Sequence, residues 1–430
     1  MAAWLVIGGI VFSVLYGYKT RRNIAPVAVM FSYLIGCGVL HLTPAKILSF
    51  IPVSILFNMF AITFFLGFSI ENKTLHVLSE TILYKVRCYP ALTLPALFAI
   101  GFLLAMSGAG IASAAFVAPI TFALAGRMNL HLAAAYVAAA CGVIAGSNFM
   151  YSGGGVVLIG LLENSGYKEE AFSVAAISFL LSTLLCSVFF GLIYFFFRCW
   201  KCNTDDWREK IVWTSQQKRT LVLQITIAVL VFVPKIMAEL CSIPWLTVLA
   251  DHIEVSFIML IGGCIASFMK LGNDKLVIQR QVPWTTIIML GGMSMLIGVG
   301  KEAGMTELLV PIISKSLPRP YLAMFLGITA GVMSMFSSAI GVVLPTLFPL
   351  IPQLCKTTEI PASVLFIAVF IGATMTGISP LSTTGSMVLA GCQTESGRDK
   401  LFYQAMLLPF LLLFMVAALC FFLQMAMSTV

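Results

Sequence analysis

The sequence predicts an all-α polytopic membrane protein built as two inverted-topology repeats, and three observations carry that fold class. Only 10% of the 430 residues are charged while 60% are hydrophobic; a soluble domain holds about 25% charged residues, so the chain cannot solvate an ordinary surface. Its apolar runs last about 17 to 25 residues, enough for a helix through ~30 Å of hydrocarbon, whereas barrel strands would alternate over about 10. The pattern is also written twice. Pro52 answers Pro283, Gly67 answers Gly298, Gly146 answers Gly377 and Gly154 answers Gly385, each 231 residues on. SAAFVAPITFAL (113–124) aligns with AIGVVLPTLFPL (339–350) at a spacing of 226, the longer connection that follows in the second copy absorbing the difference. Self-similarity at a fixed period marks a repeat architecture.

The first repeat, 1–197, opens with helices near 2–18, 23–43 and 49–70, followed by an amphipathic arm at 71–87. Two apolar arms, 91–106 and 113–125, flank the small-residue tip Ser107-Gly108-Ala109-Gly110. Each is too short to span alone, which predicts a re-entrant hairpin. An interrupted segment (130–162) and a long helix (168–197) complete five crossings. After a linker at 198–218, the second repeat (219–430) gives helices at 219–238, 248–269 and 283–300 and an arm at 301–319. Hairpin arms at 320–334 and 340–352, an interrupted segment at 361–392 and a helix at 400–427 follow. An odd number of crossings per copy inverts the second copy, an arrangement in which transporters bind cargo near the midplane.

Charge tests this topology. With both termini outside, one face receives 18 of the 25 Lys and Arg residues and the other 7, the bias expected of cytoplasmic loops. The opening AAWLVIGGIVFSVLYGY lacks a basic leading segment and is followed by KTRR, the order of a retained helix rather than a cleaved signal. The net charge of +8 therefore reads as loop bias in a cytoplasmic-membrane protein, with no nucleic-acid partner. Eleven cysteines are scattered as small hydrophobes. Cys199-Trp-Lys-Cys202 lacks the second ligand pair of a zinc site. His41, His131 and His252 stand alone near helix ends and read as structural.

The interruptions carry the chemistry. Non-helical backbone at membrane depth survives only where it lines a protein cavity or water. In Thr376-Gly377-Ile378-Ser379-Pro380-Leu381-Ser382-Thr383-Thr384-Gly385, Pro380 lacks an amide hydrogen and the glycines permit turns. The first copy offers Ser147, Asn148, Ser152 and Gly153-Gly154-Gly155, and the second hairpin tip is Ser337-Ser338-Ala339. Free amides at helix N-termini hold anions, while carbonyls and hydroxyls hold cations. Ser107, Gly108, Asn148, Ser152, Gly153, Ser337, Ser338, Ser379, Ser382, Thr383 and Thr384 are the candidate substrate ligands. No basic residue falls within either tip or either break. The plainer alternative is that such small residues only let helices approach closely.

An inverted repeat, hairpins whose second arms carry FVAP and VVLP, and the stretches FSSAIGVVLPTLFP and TGISPLSTTG resemble the ion-transporter superfamily. More narrowly the chain is similar to the divalent anion:sodium symporters and the malonate or dicarboxylate carriers. The resemblance implies secondary active transport of a small dicarboxylate, with Na⁺ as coupling ion ahead of H⁺ and no other cofactor. It implies sodium ligation around Gly110, Gly146, Ser147, Asn148, Ser337, Ala339, Gly377 and Ser379. It also implies an elevator, in which the hairpins and broken helices slide against a scaffold of the first three helices of each half, and a homodimer joined through that scaffold. This chain departs from the sodium-coupled pattern in lacking Asn and Thr at both hairpin tips. An inorganic-anion exporter of the same superfamily, an anion channel and an intramembrane enzyme are the alternatives. A channel would be expected to show rings of charge, and an enzyme a nucleophile–base pair or paired acids at membrane depth; the sequence offers neither.

Overall fold

The computed structural model describes residues 2–20, 22–86, 89–200, 212–241, 255–316, 318–392 and 395–428. All regular structure among them is helical. Seven of the described helices are long and apolar enough to cross a membrane, and shorter apolar helices such as Ala25–Gly38 and Leu132–Ser147 join them. The middle of the linker (201–211, with Cys202) and 242–254 (the start of the expected 248–269 helix, with His252) lie outside the described residues.

The two halves repeat each other element by element. Helices Val53–Glu71 and Trp284–Glu302 are both 19 residues long. Each is preceded by a proline in nearly the same conformation, Pro52 (φ −79°, ψ 73°) and Pro283 (φ −80°, ψ 62°). Each is closed by a left-handed residue, Lys73 (φ 63°) and Gly304 (φ 75°). The amphipathic arms Thr74–Val86 and Met305–Ser316 follow directly. Glycine is at ease with a positive φ and lysine is not. Lys73→Gly is therefore expected to raise stability by about 0.5–1 kcal/mol, read as a higher melting temperature in detergent. A lower one would show that the lysine side chain, not the turn, matters there.

In each half two helical arms fold back on a third helix. Arms Thr93–Leu104 and Ala114–Arg127 touch each other and both lie on helix Leu132–Ser147. In the second half, Leu322–Phe336 and Ala339–Thr358 both lie on Ala362–Met375. Glycine sets how close these layers come. A Cβ on Gly142 would stand 2.4 Å from Phe98 O, and one on Gly146 2.1 Å from Phe102 O. A Cβ on Gly372 would stand 2.1 Å from Gly327 O, and Gly331 lies against Thr376, whose Oγ1 donates to Gly331 O at 2.8 Å. The same backbone-to-backbone crossing thus occurs twice.

This crossing corrects the alignment at the breaks. Gly142 pairs with Gly372, and Gly146 with Thr376, a spacing of 230. The turns agree: Ser152 N–H donates to Phe149 O and Ser382 N–H to Ser379 O, at 2.8 and 3.0 Å. The 231 spacing of Gly146 with Gly377 and Gly154 with Gly385 is off by one there, because similar glycine-rich strings align in either register and only hydrogen bonds choose between them.

Helices Ala2–Thr20, Ala25–Gly38 and Trp284–Glu302 enclose a core of their own around Val6, Ala28 and Leu296. A larger core runs through the hairpins, the broken segments and the helices Lys168–Phe196 and Glu395–Ser428. A cavity opens between these two bodies.

Candidate functional site

Both interrupted segments are broken where they are buried in the protein. Helix Leu132–Ser147 ends, 148–152 turn, and a helix restarts at Gly153. Ala362–Met375 ends in a short 3₁₀ turn, Ser379 is extended, and a helix restarts at Thr383. At the first hairpin tip Gly108 (φ 97°) and Gly110 (φ 51°) reverse the chain, a geometry a residue with a Cβ rarely adopts. Ser337 and Ser338 make the second tip in extended conformation.

The four interruptions meet at one cavity of about 590 Å³, lined by helix starts and also by the helix ends at Ser147, Phe336 and Ser337. Gly110 to Ala112, Ser338 and Ile340, Gly153 and Gly154, and Ser382 and Thr383 line it, each group at the start of the helix that follows a tip or a break. Each helix start supplies amides not bonded within the helix and about half a unit of positive charge. Ser338 Oγ already accepts from Gly341 N–H at 3.2 Å, and Ser382 Oγ from Gly385 N–H at 3.2 Å.

A second, tight pocket of about 30 Å³ adjoins these residues. Here Ser147, Asn148, Ser334, Ser337 and Gly377, at or near helix C-termini, stand beside the helix starts at Ser338, Ala339, Ser382 and Thr383. Ser147 Oγ donates to Ile144 O at 2.9 Å and Ser337 Oγ to Met333 O at 2.7 Å. Each hydroxyl hydrogen is thereby used, leaving oxygen lone pairs to face the pocket. Asn148 Nδ2 donates to Thr374 Oγ1 at 3.0 Å, bracing one break against the other. Ser334 is 1% exposed and its Oγ has no hydrogen-bond partner among the described residues. A pocket this size suits a single small body, and its donor set is hydroxyls and carbonyls without an acid. Among the described residues no group of three His, Cys, Asp or Glu side chains could hold a metal.

Of the residues expected as ligands, Gly108, Gly153, Ser337, Ser338, Ser382 and Thr383 line the large cavity, as does Gly110. Asn148, Ser147, Ala339, Gly377 and Thr384 line the small one. Ser107, Gly146, Ser152 and Ser379 line neither. Ser107 Oγ donates to Leu104 O at 2.9 Å within its own turn. Gly146 is occupied by the helix crossing. Buried Ser152 ties its break to the first hairpin, donating to Ala105 O at 2.7 Å. Ser379 is 2% exposed, and its Oγ accepts from Leu381 N–H at 3.3 Å within the turn.

Three residues escaped the sequence reading. Ser334 sits one helical turn before Ser337, a Ser-x-x-Ser spacing that puts both on one face. Tyr136, fully buried, donates from its hydroxyl to Ile378 O at 2.5 Å and holds the second break in place; an isolated tyrosine in an alanine-rich helix was the available signal. Arg22 enters the large cavity from the loop between the first two helices, and only the folded loop reveals that. His131 is structural: Nδ1 accepts from Ala133 N–H at 3.2 Å, and the ring stacks on Phe197. Burial and then Lys400 hold its pKa below the usual histidine value.

Residues 1–147 match the family model described as the N-terminus of the dicarboxylate carrier protein MatC. The resemblance to the malonate and dicarboxylate carriers therefore holds over that part of the chain. Across its length the chain resembles the crystal structure of the YdaH transporter of Alcanivorax borkumensis, described as having an unusual topology. The TM-score is 0.56 at 15% identity, with 88% of this chain and 86% of that one covered. At this identity the likeness is one of fold. No curated protein matches the chain.

Proposed function

We propose that this protein is a secondary active transporter, not an enzyme, that carries a small dicarboxylate such as malonate or a C4 acid across the cytoplasmic membrane by cation-coupled elevator movement. The observation that carries the reading is the convergence of helix ends on two adjoining spaces. Starts and ends of the broken helices share a cavity large enough for an organic anion, and the small pocket beside it adds the hydroxyls and carbonyls near Ser147, Ser334, Ser337 and Gly377. An anion and a cation bound side by side offset each other's charge in a low-dielectric site, which couples their binding. The match to the dicarboxylate carriers supplies the cargo class.

Na⁺ is the coupling ion of this reading, because the small pocket offers hydroxyls and carbonyls and no carboxylate to take up a proton. The scaffold comprises 1–70 and 219–300, with arms at 71–87 and 301–319, and the moving part comprises 91–197 and 320–427. The second repeat is inverted, both termini lie outside, and the bias of Lys and Arg makes the face of the Arg22 loop cytoplasmic. A scaffold-joined homodimer completes the picture on resemblance alone.

The test is uptake of labelled malonate and succinate into proteoliposomes with and without an inward sodium gradient. Gradient-driven uptake is expected, and Ser334→Ala is expected to raise the sodium concentration for half-maximal uptake about tenfold, as loss of one buried ligand hydroxyl should. Absence of carboxylate uptake under either condition would refute transport of this class. Uptake indifferent to sodium in the wild type would refute the coupling ion alone.

A further inference from the structure

The hairpins and breaks offer the large cavity only neutral groups. The scaffold contributes one charge: among the described lining residues, Arg22 alone is ionised. Its position is built. Asn23 Oδ1 accepts from Ala25 N–H at 2.9 Å at the start of the second helix, and Asn23 Nδ2 donates to Thr285 O at 3.1 Å. That clip fastens the loop beside Pro283, Thr285 and Thr286, which line the same cavity. Arg22 is exposed and forms no ion pair with a described residue. A loop arginine serving only to set topology needs no such fastening.

We propose that Arg22 is a specificity-determining residue that selects doubly charged carboxylates: it draws them into the cavity and pairs with the carboxylate that the helix ends leave uncompensated. This assignment rests on the dicarboxylate reading above. A helix N-terminus offers about half a charge, so a dicarboxylate seated by one group keeps a second, nearly full charge. A guanidinium meets a carboxylate with paired donors. A cleft with low-dielectric walls also concentrates counter-ions of the sign it attracts. Arg22 belongs to the scaffold, so the cargo leaves it behind when the hairpins move. It therefore sets affinity on this face and not the rate of crossing.

The test compares wild type, Arg22→Gln, Arg22→Lys and, as a same-sign control away from the cavity, Lys275→Gln. Malonate affinity is titrated on purified protein at about 20 mM and about 500 mM salt, where screening lengths differ severalfold, and the maximal exchange rate is measured in proteoliposomes. Arg22→Gln is expected to weaken malonate binding about three- to tenfold at low salt, with little change in maximal rate. Arg22→Lys should recover most of the affinity, high salt should erase the difference, and a monocarboxylate probe should bind both forms alike. Equal affinity in wild type and Arg22→Gln, or an equal loss in Lys275→Gln, overturns the assignment. A wild type that exchanges no carboxylate would instead overturn the transport reading, and the assignment with it.

Discussion

Gly372→Ala is expected to unfold or separate the second hairpin from its supporting helix, a loss of about 3 kcal/mol or more. The added methyl would lie 2.1 Å from Gly327 O and 2.8 Å from Gly327 C, both backbone atoms. A side chain could rotate out of the way, but a helix backbone can only translate. Overpacking a close-packed interior costs about 1–3 kcal/mol even where side chains adjust, and here none can. The helices must part along a seam that also positions Thr376 and the second break. Gly8→Ala is the matched control, because nothing lies within 4 Å of a Cβ there. Melting temperature in detergent and the fraction recovered as a monodisperse peak read the difference. Equal stability of the two variants would show that the crossing is looser than drawn.

Ser382→Ala is expected to depress malonate uptake at least tenfold, the largest effect of any single hydroxyl in the site. Its oxygen accepts from Gly385 N–H, capping the second break, while its hydrogen bridges to Gly377 O at 2.5 Å and Ser379 O at 2.8 Å. It also lines both the large cavity and the small pocket. Removal strips the cap, costing about 1–2 kcal/mol, and lets the carbonyl of Gly377, which lines the small pocket, reorient. Ser152 is the internal comparison: it occupies the matching position at the first break and lines neither space. Ser152→Ala should lower stability about as much while reducing uptake less. Parallel losses of stability and uptake in both variants would mean that Ser382 acts through folding only.

Much of this arrangement could be read in the chain because membrane depth punishes irregular backbone. Pro380, Gly377 and the Ser107-Gly108-Ala109-Gly110 tip could not sit in hydrocarbon without a purpose, so their positions pointed to the site. Which of their hydroxyls face ligand was not legible. Ser152 and Ser379 have the same composition and local spacing as residues that line the cavity, and only the folded structure shows Ser152 bonded to the first hairpin and Ser379 to its own turn. Arg22 was hidden for another reason. In sequence it is one of four residues of a basic loop, and a contact 262 residues away in the chain, Asn23 to Thr285, turns it inward. The single-residue slip at the breaks has the same origin, since long-range backbone hydrogen bonds leave no trace in composition.

No Asp, Glu, Lys or Arg is buried among the described residues. Displacing one elementary charge through a 100 mV membrane potential costs about 2.3 kcal/mol. On the proposed elevator reading, a moving body whose interior holds only neutral groups escapes that cost once its cargo is gone. Its unloaded return should be indifferent to voltage, and any current should track the stoichiometry of anion and cation alone.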